Sequence, residues 1–151
     1  MGPLNYLTVQ DILWINFQVA KKVEKFNYAK LEEATFYQYA YGDSKDVPSQ
    51  AARFLRGFLK LGPIDALNEA TGIVGLIAFL EINGYEFELA DASGTTFVFA
   101  AKSGADDITS RIKRSGHGQH AHKPDVRATI ESVLRRYPKT IEGLLVPLVK
   151  A

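Results

Sequence analysis

Residues 72–80, GIVGLIAFL, form the longest run without a polar side chain in the sequence. A helix that is apolar on every side has to be surrounded by other elements, because no face of it is suited to water. The run is too short to cross a bilayer, so the expectation is a central core helix. Gly72 and Gly75 each cost about 1 kcal/mol of helix propensity relative to Ala, which fits close approach by neighbouring helices. Asn83-Gly84 supplies the stop, with one residue able to turn left-handed. Gly62-Pro63 is expected to end the preceding helix and start the central one.

A chain of 151 residues suits a single domain, and 46% hydrophobic with 23% charged residues argues against disorder. The absence of cysteine excludes disulfides, thiolate metal sites and a cysteine nucleophile, and points to a reducing compartment. The start, MGPLNYLTVQD, lacks the basic and apolar segments of a signal peptide, so a cytoplasmic protein that does not engage membranes is expected. The net charge of +1 hides an asymmetry: residues 1–99 sum to −4 and residues 100–151 to +5. Such a basic final third suits an acidic partner or a solvated surface facing the acidic part of the chain.

Thr8 and Asp11 predict a capped helix over 9–24, with Val9, Ile12, Leu13, Asn16, Ala20 and Val23 on one stripe and Trp14 beside it as a packing residue. Further helices are predicted over 28–41, from about Pro48 to Leu61 and over 108–113, while residues 95–99, TTFVF, have the β propensity of a strand that could pair with 85–89 although Phe97, Val98, Ala101 and Gly104 also fit a short helix. Residues 85–89 alternate apolar and acidic and read as a short strand. Residues 124–137 and 140–149 give two last helices, with Pro147 expected to shorten or kink the second.

Phe79-Leu80-Glu81-Ile82-Asn83-Gly84-Tyr85 matches the FLxxNGY that often follows the motif HxFx[DE]GNxRxA of the Fic/Doc (Fido) family. Together with residues 7–11, Phe97-Val98 and Gly104, it makes residues 7–112 resemble a death-on-curing (Doc-like) member of that family, with residues 113–151 as a C-terminal helical extension. The resemblance implies a mainly α, compact fold around the buried central helix, and a helix rather than a strand over 95–102. It also implies ancestry in nucleotide or phosphate transfer to protein hydroxyls, in the toxin-antitoxin setting of the Doc toxins.

In the aligned motif Gly62 stands at the catalytic histidine, Ile64 at the phenylalanine, Ala66 at the acid, Leu67 at the glycine and Ala70 at the arginine. Asn68 is kept, Glu69 occupies the variable position, and Thr71 matches a residue common there, with Gly72 in place of a small alanine. Each loss removes a separate function. Without histidine there is no general base, without the acid no carboxylate for Mg²⁺, and without arginine no bidentate phosphate clamp. Helix-start amides and Asn68 remain as a candidate anion or nucleotide contact.

His117, His120 and His122 suit a transition metal in chemistry but lack helical ligand spacing, and Arg111, Lys113, Arg114 and Lys123 flank them as a candidate basic loop. No GxSxG, HExxH or Walker loop occurs. The expectation is therefore a pseudoenzyme with no cofactor and no resident metal, binding a protein partner or itself. The alternatives are a nucleotide-binding or nucleotide-transferring enzyme with a relocated site, and nucleic-acid binding through the basic final third. Residues 41–47 are a further candidate, as a surface that holds an extended peptide.

Overall fold

A computed structural model describes residues 4–40, 46–115 and 124–150, with side chains to residue 145. Among these the chain forms α1 (Val9–Ala20), α2 (Tyr28–Phe36), α3 (Val47–Leu61), α4 (Asn68–Ile82), β1 (Tyr85–Phe87), α5 (Gly94–Lys102), β2 (Ile112–Arg114), α6 (Val126–Arg136) and α7 (Pro138–Lys150). The fold is mainly helical, and the one sheet among the described residues pairs β1 with β2 antiparallel, Glu86 opposite Lys113. No helix among the described residues is long and apolar enough to cross a membrane.

The apolar run does form the centre. Twelve of the fifteen residues of α4 are buried, which is possible only because α3, α1, α6 and β1 pack around it. The two glycines lie against α3: a Cβ at Gly72 would come within 3.3 Å of Leu55 and Phe58, and one at Gly75 within 3.2 Å of Phe54. These helices pack more closely than an alanine would comfortably allow. Asn83 caps α4 and is buried. Its amide accepts from the Asn5 backbone N–H at 2.7 Å and donates to the Asn5 and Phe79 carbonyls at 2.9 Å. Gln38 does the same for Leu7, at 2.8 Å in both directions. Two buried side-chain amides thus satisfy the backbone of the extended N-terminal segment.

Several boundaries differ from those expected. α1 has its Thr8–Asp11 capping box but stops at Ala20, because Lys21 turns left-handed at φ 63°. Val23, expected on the buried stripe, is 83% exposed. α2 ends at Phe36, and residue 41 lies outside the described residues. The central helix starts at Asn68 and not at Gly62-Pro63. Residues 108–113 are not an α-helix: a 3-10 turn at Thr109–Arg111 leads into β2, whose pairing with β1 satisfies backbone groups that a two-turn helix would leave open. α7 continues through Pro147 to Lys150. Helix is correct for 95–102, the segment whose β propensity argued for a strand.

The C-terminal helices belong to the same core. Ile130 and Val133 of α6 are fully buried, and α6 packs on α4. Helices α1 and α6 run side by side in the same sense. At one end the Arg127 guanidinium meets Asp11 at 3.1 Å and lies 4.8 Å from the Trp14 ring centroid, and at the other Val19 and Leu134 share a cleft.

Asp91 caps α7 from forty-eight residues away, accepting from the Lys139 and Thr140 amides at 3.0 and 2.9 Å and from the Thr140 hydroxyl at 3.0 Å. Burial would raise its carboxyl, but the Thr140 and Lys139 bonds outweigh it and hold the group below its ordinary value. At neutral pH Asp91 is charged in both states, and the depressed folded value contributes stability. As the pH falls below about 3.9 the unfolded chain takes up the proton first, so that contribution is lost through the folded value. Asp91→Asn is expected to be less stable than wild type at neutral pH, with the gap narrowing near pH 3. Urea midpoints at the two pH values check it, and a gap that does not narrow contradicts it.

Candidate functional site

The residues that stand where a Fic/Doc motif would lie occupy the turn between α3 and α4. α3 stops when Gly62 turns left-handed (φ 51°), its amide bonded back to the Phe58 carbonyl at 3.0 Å. The chain then runs antiparallel to residues 25–27. The Asn27 amide donates to the Pro63 carbonyl at 2.9 Å and the Asp65 amide to the Lys25 carbonyl at 2.8 Å, making an isolated bridge between Phe26 and Ile64. Pro63, Ile64 and Leu67 are buried in the space ahead of α4.

Two side-chain amides hold this turn from opposite sides. Asn68 accepts from the Ile64 N–H at 3.0 Å and donates to the Ile64 carbonyl at 2.6 Å, so both ends of its amide are bonded to one residue of the loop. Asn16, from the buried stripe of α1, donates to the Ala66 carbonyl at 3.0 Å and the Thr71 hydroxyl at 3.1 Å. Ala70 and Thr71 are fully buried. Glu69 pairs with Lys102 of α5 at 2.6 Å. No group of three metal-ligating side chains forms there among the described residues.

Leu67 is the unusual residue. It sits at φ 63°, ψ 36°, one of two non-glycine residues with positive φ among those described. A glycine takes this conformation freely, and a leucine at a cost of about 1–2 kcal/mol. Burial of its side chain, together with the bonds from Asn16 and Asn68 on either side, offsets that cost.

The candidate basic loop is brought together only in part, and its described cations are already engaged. Arg111 donates to Asp107 at 2.8 Å and to the Glu88 carbonyl at 2.9 Å, with its guanidinium 5.0 Å from the Phe97 ring centroid. Lys113 pairs with Glu88 at 2.8 Å, and that hydrogen-bonded carboxylate raises the ammonium above its ordinary value. Arg114 lies over Tyr85. His117, His120, His122 and Lys123 lie outside the described residues, as does most of the candidate peptide surface at 41–47.

Two clefts open elsewhere. One, of about 420 Å³, lies beside β1 and contains Arg136 forked onto Glu81 at 2.7 and 2.8 Å. The other, of about 520 Å³, lies between α1, α6 and α7. The second was not visible in the sequence, since nothing in the separate helix patterns of α1 and α6 says that they lie side by side. In comparisons with family models, curated proteins and solved structures, nothing matches the chain.

Proposed function

We propose that this chain is a non-catalytic Fic/Doc-like module of toxin-antitoxin descent that acts by binding a protein. The observation that carries the reading is the turn ahead of α4. Leu67 takes a left-handed backbone, the conformation a glycine adopts freely, at the place of the motif glycine, and Asn68, at the place of the motif asparagine, begins the helix. Yet Pro63, Ile64 and Leu67 fill the space where phosphates would lie, and Asn68 is bonded on both sides to Ile64. The loop geometry supports the ancestry; the filling supports loss of the chemistry. The ancestry rests on that loop and on Phe79 to Tyr85, while the binding role rests on exposed apolar side chains such as Phe17, Val23 and Phe26.

A nucleotide panel with Mg²⁺ or Mn²⁺ tests this on wild type and Asn68→Ala. A nucleotide with a Kd of about 10 μM, supplied at about 1 mM, would stabilise by about 2.7 kcal/mol, a shift of several degrees in Tm. No shift is expected for either protein. Asn68→Ala is expected to lose about 1–3 kcal/mol in urea denaturation because the Ile64 N–H and carbonyl are left without that partner. A nucleotide shift in wild type that the variant lacks, or transfer of a nucleotide or phosphate group to any protein, would overturn the reading.

A further inference from the structure

The cleft between α1, α6 and α7 has an apolar floor of Val19, Leu134, Ile141 and Leu145. Its rim carries two cations, Lys21 and Arg135, and two anions, Glu131 and Glu142, all four exposed. None of these four takes part in an ion pair among the described residues, whereas Arg127, Arg136, Lys102, Arg111 and Lys113 each have a carboxylate partner. Two exposed apolar side chains neighbour cleft residues in sequence. Phe17, 45% exposed, directly precedes cleft residue Gln18, and Val23, 83% exposed, follows Lys21 by two residues.

We infer that this face binds a second copy of the same chain in an isologous dimer. A two-fold contact requires a surface complementary to itself. Here an apolar recess and exposed apolar side chains belong to residues close together in the chain, and in the dimer each copy places Phe17 and Val23 at its partner's cleft. The described rim carries two charges of each sign, and in the proposed dimer the cations of one copy face the anions of the other. The same balance argues against other occupants: a polyanion would meet Glu131 and Glu142, and a basic peptide would meet Lys21 and Arg135, both at a cost in like-charge contact. This deepens the protein-binding reading above by naming the partner.

Sedimentation velocity from about 1 μM to about 1 mM tests it, over which a dimer of ordinary affinity crosses its Kd. Wild type is expected to reach twice the 16.7 kDa chain mass. Two variants then probe the rim without touching the core: Lys21→Glu/Arg135→Glu leaves it wholly acidic, and Glu131→Lys/Glu142→Lys wholly basic. Each alone is expected to raise the dimer Kd at least about tenfold, and an equimolar mixture is expected to recover association as a heterodimer. Circular dichroism checks that both variants stay folded. Wild type that is monomeric at the highest concentration, or a dimer indifferent to both variants, would overturn the inference. A negative result here leaves the nucleotide experiment untouched, and transfer activity there would leave a measured dimer standing.

Discussion

A chain ended at Ser115 is expected not to fold. The truncation removes α6 and α7, and with them the buried side chains Ile130, Val133, Tyr137 and Leu144. Burial of each such side chain contributes about 1.5–3 kcal/mol, and the face of α4 they cover is opened to water as well. A protein of this size has a total stability of about 5–15 kcal/mol, so the loss is comparable to the whole. Two polar anchors go too: the pair of Arg127 with Asp11, and the Tyr137 hydroxyl donating to the Leu89 carbonyl at 2.7 Å. The expected result is a truncated chain with no cooperative thermal transition and with apolar surface that binds hydrophobic dyes. A truncated chain that melts cooperatively near the wild-type temperature would mean that residues 113–151 are the independent addition their position after the family-like region suggests.

Gly94→Ala is expected to cost about 3 kcal/mol or more, the upper range for overpacking a well-filled site. α5 and α7 cross with two small-residue contacts. A Cβ at Gly94 would sit 1.9 Å from the Thr140 hydroxyl oxygen, and one at Gly143 would sit 2.2 Å from the Thr95 hydroxyl oxygen. Thr140 cannot swing aside at low cost, because its hydroxyl bonds the Asp91 carbonyl and carboxylate at 3.0 Å. Moving it would also disturb the capping of α7 by Asp91. The Thr95 hydroxyl in turn donates to the Thr140 carbonyl at 3.2 Å, which ties the two contacts into one unit. Urea denaturation of Gly94→Ala, Gly143→Ala and the double variant measures this. The double variant is expected to cost less than the sum of the singles, since either one alone forces the same separation of helices. A loss below about 1 kcal/mol for Gly94→Ala would show that the crossing can open.

These two expectations divide differently between sequence and structure. The central helix was legible because nine successive apolar residues leave no polar face to interpret, and Asn83-Gly84 marks its end unambiguously. The capping box of α1 and the span of α3 were legible for a similar reason: local pattern carries them. The helix over 95–102 was legible only through the family resemblance, because its β propensity argued otherwise. Residues 108–113 were misread as helix because what fixes them is their pairing with β1, more than twenty residues earlier. The start of α4 was misread because a proline and an aspartate in residues 62–67 give an ordinary helix-start pattern. The actual turn depends on Asn16, Lys25 and Asn27, which bond it from outside.

For the candidate site, the sequence alone determined which chemical groups the turn can offer: residues 62–71 contain no histidine and no arginine, their acids are Asp65 and Glu69, and no arrangement in space can add a side chain. Only the tertiary structure decided what replaced them. Asn68 was read as the surviving ligand contact, yet its amide faces the Ile64 backbone, and Leu67 lies buried in a glycine's conformation. The same holds for the cleft and its charged rim, since the residues that make it are separated by more than a hundred positions and meet only because α6 lies alongside α1. Local pattern specifies elements and removes functions; the contacts between distant elements determine which surfaces are left for binding, because burial and hydrogen bonding are settled by what packs against a residue and not by its neighbours in the chain.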